Sequence, residues 1–248
     1  MKISHGPSLS PLPPNRESYD TALRAVGSNE YRAGYLPYAI LNAWQQLVVD
    51  FAYFRADIAG VKYARSPSEQ SFFFQDQHIR EGLTIRDLGF LSHFVGDGSE
   101  PLRVSVHRDG WGNYPNPQRF SNDKRLLAQV EGATARLRIT ESDVSARVAP
   151  YRDCRCGIAT RISDYLAASR KQVVPLYQIE KAGGFDGKHE DGKTFVRERL
   201  AAAASELKDL IVDAWHSSAE TSIGTPPIAL SDTESGKASA FEPLIGND

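Results

Sequence analysis

His93 and Asp97 stand four residues apart, a spacing that puts two side chains on one face of a helix. An imidazole nitrogen and a carboxylate oxygen so placed can share one zinc ion, since both are ordinary ligands of that metal. Gly96 and Gly98 flank Asp97 and keep side-chain bulk away from its carboxylate. The same spacing also describes an ordinary His–Asp pair near a helix C-terminus, where the helix dipole favours an imidazolium. Spacing alone does not choose between them. His107, Asp109, His78 and Asp76 are further nitrogen and oxygen donors, and His107 can approach a metal or a phosphate. Trp111 and Tyr114 offer aromatic faces that can stack on a base or ring, or else pack over helices. His189 and His216 read as surface residues. Cys154 and Cys156 are too close for an easy intrachain disulfide and lack the second pair of a zinc knuckle. Arg152 and Arg155 favour a thiolate there, and Asp153 opposes it. The sequence holds no Gly-rich phosphate loop and no nucleophile elbow.

The surroundings of His93 add information that spacing does not. The run Leu91-Ser92-His93-Phe94-Val95-Gly96-Asp97-Gly98-Ser99-Glu100-Pro101-Leu102 resembles the central motif of a zinc enzyme family. That family comprises the zinc-dependent phospholipases C and the single-strand-specific nucleases of fungi and plants. Gly110-Trp111-Gly112-Asn113 resembles its glycine-rich loop, and Ser121-Asn122-Asp123-Lys124 leading to Glu131-Gly132 resembles its next ligand helix. Gly34-Tyr35-Leu36-Pro37-Tyr38-Ala39-Ile40 and Gln172-Val173-Val174-Pro175-Leu176-Tyr177 look like bacterial members. The likeness spans about residues 30–220 and is most specific over 93–102.

The resemblance implies a cleft between helices in which three zinc ions activate a water against a phosphodiester. On this comparison His93 and Asp97 match zinc ligands, Asp97 being the carboxylate that bridges metals at the catalytic centre, and Glu131 matches the acid of the following helix. The departures are as informative. Arg103 and Leu127 stand where the family has histidines, and the chain starts too late to supply the family's N-terminal tryptophan. His5 is a loose match to an upstream histidine. Counted by site, the ligands support at most one weakly held zinc, from His93, Asp97 and His5, because even an open zinc site needs three protein ligands. Arg103, His107, Trp111 and Tyr114 are the residues expected to face a substrate.

Two functions follow as expectations. The first is a metal-dependent phosphodiesterase with an incomplete site, acting on single-stranded nucleic acid or a phospholipid head group. The second is a non-catalytic descendant, a binding or scaffold protein in which Arg103 replaces a metal by pairing with Asp97 and Glu131. Leu127 then fills with apolar volume the space left by an imidazole.

The elements that must position these residues are helical. Leu36, Ile40, Trp44, Leu47, Val48, Phe51, Phe54 and Ile58 recur at three- and four-residue spacing, predicting a helix from Leu36-Pro37 to a stop at Gly60. Shorter helices are expected over 72–78 and 84–96, the latter with Ile85, Leu88, Leu91 and Val95 on one side. Residues 98–122 carry Pro101, Gly110, Gly112, Pro115 and Pro117 and read as a long loop of the functional kind. Helical periodicity returns at 123–137 and 141–149, then at 158–181 with a kink at Pro175, and last at 194–218. The expected class is all-α: a 1–29 arm with one short helix, a single helical domain of the phospholipase C and nuclease type over 30–221, and a mobile tail over 222–248.

Composition sets outer bounds. The 248 residues are 41% apolar and 24% charged with a formal net charge of −2. Such a chain can bury a large core and shows no basic surplus of the kind that binds duplex nucleic acid. No apolar run approaches the roughly 18 residues of a membrane span. No signal peptide is visible, so the chain as it stands reads as cytoplasmic, or as secreted or periplasmic if a segment precedes Met1. Oligomeric state is not encoded legibly.

Overall fold

The computed structural model describes residues 11–133 and 137–246, and it is mostly helical with one two-stranded sheet. In chain order the elements are α1 (Arg16–Ala25), α2 (Glu30–Ala33), α3 (Leu36–Tyr63) and α4 (Pro67–Ser99), followed by α5 (Leu126–Glu131) and α6 (Glu141–Ser145). Then come α7 (Ile158–Arg170), α8 (Val173–Lys181), α9 (Glu190–Ser218), β1 (Ser222–Ile223), β2 (Ile228–Ala229), α10 (Leu230–Glu234) and α11 (Phe241–Ile245). The all-α expectation therefore holds as a class.

Several boundaries differ from the sequence reading, each for a physical reason. The two helices expected at 72–78 and 84–96 are one element of 33 residues. It starts early because Ser66-Pro67-Ser68-Glu69 caps it: the Ser66 hydroxyl accepts the Glu69 N–H at 3.2 Å, and Glu69 accepts the Arg65 N–H at 2.8 Å. Gly60 does not end α3. A Cβ there would overlap the Phe73 ring, so the glycine instead lets α3 and α4 approach closely. The kink expected at Pro175 is a full break at Lys171 and Gln172, leaving α7 and α8 separate. Proline clashes with the carbonyl four residues before it, here Lys171, and sits at ease in the first turn of α8. Helix α9 begins at Glu190, ahead of Thr194, because Gly192 packs against the backbone of Gly184 and continues the helix.

Backbone contacts divide the chain into two compact units, where the sequence suggests one domain over 30–221. The first comprises residues 1–41 and 93–207, as far as they are described. Its main core gathers Leu102, Trp111, Phe120, Leu126, Val130, Val173, Leu176, Tyr177, Phe185 and Phe195. A smaller cluster joins Leu12, Tyr19, Leu23 and Tyr38, and so anchors the arm through α1, whose Asn15 cap accepts the Ser18 N–H at 2.9 Å. Tyr38 donates its hydroxyl to Pro13 O at 2.7 Å.

The second unit comprises residues 42–92 and 208–248, as far as they are described. The stretch from Ser222 onward, whose weak periodicity suggests a loose tail, contains an antiparallel hairpin pairing Ser222 with Ala229 and Ile223 with Ile228. Helices α10 and α11 follow it. Ile223, Leu230 and Ala240 are buried with Ala52, Ala56 and Phe73. Elements this short carry too few turns to show a period, and only their burial reveals them.

Candidate functional site

The residues singled out around His93 come together in the first unit. His93 and Asp97 lie in the last turns of α4, with His93 Nε2 3.7 Å from Asp97 Oδ2 and the imidazole mostly exposed. Gly98 admits α7, since a Cβ there would meet Tyr165 Cε1 at 2.8 Å and Leu166 Cδ2 at 2.9 Å. The Tyr165 hydroxyl donates to Val95 O at 2.7 Å. Gly98 thus positions a helix, and Gly96 alone leaves open space beside Asp97.

Arg103 sits between the two acids. Its Nη2 is 2.6 Å and its Nε 2.9 Å from Glu131 Oε1, while Nε and Nη1 lie 3.3 Å from the two oxygens of Asp97. Partial burial works against the guanidinium charge, but the bond to Glu131 and the charges of Asp97, Glu131 and Glu100 outweigh it. The net effect raises the Arg103 pKa above its ordinary value. Leu127, from α5, packs apolar volume against the main core.

These residues border a cavity of about 270 Å³. Asp97, Glu100, Arg103 and Glu131 form its polar side, and Val130, Phe195, Leu200 and Ala203 its apolar side. Burial pushes the Glu100 carboxyl up to about 7, against the lowering pull of the Leu102 N–H that it accepts at 3.1 Å. Arg199 reaches the same cavity, and its Nε has no hydrogen-bond partner among the described residues. Its carbonyl accepts the Ser99 hydroxyl. A more open depression of the same unit is lined by Arg138, Lys188, His189, Lys193, Asp186 and Glu190.

The arrangement does not suit zinc. Arg103 offsets one of the two negative charges of Asp97 and Glu131 and occupies the space between them, so a dication there would meet a like charge. Among the described residues no three His, Cys, Asp or Glu side chains converge on one point. His5, the expected third ligand, lies outside the described residues.

The remaining expected substrate contacts are elsewhere. His107 and Trp111 are each 1% exposed, their rings stacked at 4.0 Å. Trp111 donates its indole N–H to Pro115 O at 3.0 Å and meets Phe120 and Tyr177 edge-on or tilted. The His107 carbonyl accepts the Tyr177 hydroxyl at 2.8 Å. His107, Trp111 and Phe120 of the long loop thus join the core, and the loop is tied by Trp111 N–H to Ser121 O at 2.9 Å and Gly112 N–H to Asn122 Oδ1 at 2.8 Å. Gly110, at φ 94°, has no room for a Cβ against the Asn122 backbone. Tyr114 is half-buried against this core. His107 and Trp111 are packed into this core and do not line the cavity beside Asp97.

Sequence reasoning missed a second polar cluster, in the second unit. Asp57 of α3 is fully buried, and Arg80 of α4 places its Nε 3.2 Å from Asp57 and 2.8 Å from Asp76. The guanidinium also lies 4.4 Å over the Tyr53 ring. Burial drives the Asp57 carboxyl up to about 7, the Asp76 charge adding to it and Arg80 opposing. The legible signal is an Asp at an apolar-face position of α3, with Asp76 and Arg80 four residues apart on α4. His78 pairs with exposed Glu81 at 3.3 Å and meets the Phe74 ring edge-on.

No helix is long and apolar enough to cross a membrane among the described residues. Compared with protein-family models, curated proteins and solved structures, the chain matches none.

Proposed function

We propose that the chain descends from the zinc phosphodiesterases it resembles and has exchanged hydrolysis for binding, with Arg103 standing in for a metal. The observation that carries this reading is the Arg103 guanidinium held between Asp97 and Glu131. Two carboxylates matched by a planar cation need no metal to stay together, and their geometry persists without a reactive water. The cavity beside them keeps one apolar wall and the guanidinium of Arg199. Below about pH 7 Glu100 holds its proton, and Arg103 is taken up by Asp97 and Glu131. Arg199 is therefore the cation that would hold a small anion carrying an apolar part, a phosphodiester among them, bound without turnover.

Zinc titration by equilibrium dialysis, run beside hydrolysis assays on single-stranded DNA and a model phosphodiester, tests this reading. The expected outcome is no retained zinc and no hydrolysis above background. A paired Arg103→His and Leu127→His change restores the two histidines and is expected to retain one zinc per chain. Near-stoichiometric zinc on the unaltered chain, with hydrolysis lost on His93→Ala, overturns the reading and reinstates the phosphodiesterase.

A further inference from the structure

The segment before α7 holds a feature that binding at the cavity does not use. Cys154 and Cys156 are joined by a disulfide, with Cα atoms 5.2 Å apart. This corrects the expectation from spacing that the pair is too close to bridge easily. The bridge closes because Arg155 between them adopts φ 49°, in the left-handed region that an arginine rarely occupies. A non-glycine residue held there is a strained one. Cys156 is exposed and Cys154 half-buried. Cys156 immediately precedes Gly157, the N-cap of the 13-residue α7. The Cys156 N–H donates to Cys154 Sγ at 3.3 Å. The Arg155 side chain is 90% exposed, and Arg152 is exposed as well.

We propose that Cys154–Cys156 is a redox-active disulfide that exchanges with anionic low-molecular-weight thiols of the glutathione type, Cys156 being the sulfur attacked and Cys154 the thiolate released. Access decides the first half of this assignment, since Cys156 is the more open of the two to solvent. Stabilisation decides the second. A thiolate on Cys154 inherits the N–H bond from Cys156. Two arginines raise the local concentration of an anionic thiol, with Asp153 offsetting part of that charge.

The exchange balances. A glutathione thiolate attacks Cys156 Sγ, forming a mixed disulfide as the Sγ–Sγ bond breaks and its electron pair leaves on Cys154. A second glutathione thiolate attacks the glutathione sulfur of that mixed disulfide and releases oxidised glutathione. Two glutathiones are oxidised, the protein disulfide is reduced to two thiols, and no proton is gained or lost overall. The segment keeps its place while the bond is open. Arg161 forms a buried ion pair with Glu206 at 2.9 Å and donates from Nη1 to Arg152 O at 3.1 Å, which anchors the chain just before the cysteines. Strained, exposed disulfides are the labile and catalytic ones, and buried relaxed ones the structural kind.

The test equilibrates the full chain in buffers of varied reduced and oxidised glutathione, quenches with acid, alkylates, and reads intact mass. Half-reduction is expected while oxidised glutathione is still a substantial fraction of the pool. A bond that stays closed in a large excess of reduced glutathione overturns the proposal. Single variants test the assignment of roles. In the pH dependence of alkylation, the midpoint for Cys154 in Cys156→Ser is expected to lie about one pH unit below that for Cys156 in Cys154→Ser. Equal or reversed midpoints overturn the assignment. The bridge closes so short a loop that it constrains the unfolded chain little, so both variants are expected to fold, with circular dichroism as the check.

Discussion

Two carboxylate–arginine–carboxylate clusters in this chain share a plan and differ in setting. In the first unit Asp97, Arg103 and Glu131 meet at a cavity edge, with side-chain exposures of 23%, 29% and 43%. In the second, Arg80 bridges Asp57 and Asp76 over the Tyr53 ring, and Asp57 has no exposure at all. Two acids and one arginine carry the same formal charge in either place. Water shares the load in the first cluster and is excluded from Asp57 in the second. Burial therefore raises the Asp57 carboxyl until it holds a proton near neutral pH, with Arg80 opposing.

The strongest way to break this comparison is to remove the buried cation. Arg80→Leu leaves Asp57 without a counter-charge and is expected to lower the unfolding free energy of the second unit by about 3 kcal/mol at pH 8, read by urea titration. A loss no larger than that of an exposed pair shows that burial does not separate the clusters. A second measurement sharpens it through pH. The Asp57 pKa is raised from 3.8 to about 7, so the folded chain keeps a proton that the unfolded chain releases. Its contribution to stability is fully present below about pH 4 and is lost as pH rises through about 7. Asp57→Asn, permanently neutral and of similar volume, is expected to flatten that part of the stability–pH curve. The slope should not vanish, because Glu100 in the first unit is also raised to about 7 and contributes with the same sign. Asp123 and Asp143 are held down to about 2 by Arg125 and Thr140, and they act in the opposite sense only at more acid pH. An unchanged slope in the variant places the proton elsewhere. The smallest expected effect belongs to the solvated cluster. Arg103→Leu should cost about 1 kcal/mol in the same titration, because exposed pairs are weak.

Much of the molecule is legible in the sequence where the signal is periodic or paired. The stripe from Leu36 to Ile58 lies in α3, and the start at Leu36 agrees with it. The expected pairing of Arg103 with Asp97 and Glu131 is the ion pair the structure has. Other features depend on distant partners and leave no local mark. Gly60 reads as an interruption because a sequence does not show the Phe73 ring that it accommodates. Trp111 and His107 read as ligand contacts because loop residues with chemistry resemble loop residues with packing until burial is known. The cap at Ser66 and Glu69 is present in the sequence, yet the apolar spacing that follows it points to a later start. The Cys154–Cys156 bridge is not legible, since nothing in Cys-Arg-Cys announces a left-handed arginine.

The carboxy-terminal hairpin has a consequence for how the protein is made. Ala52, Ala56 and Phe73 share their core with Ile223, Leu230 and Ala240. On the ribosome the first group emerges well before the second, by on the order of ten seconds at ordinary elongation rates. Through that interval α3 and the start of α4 present an uncovered apolar surface to the cell. A nascent chain in that state is a client for chaperones and proteases, and the step that releases it is the arrival of its last short elements. Yield in the cell should therefore depend on how promptly the final stretch is translated.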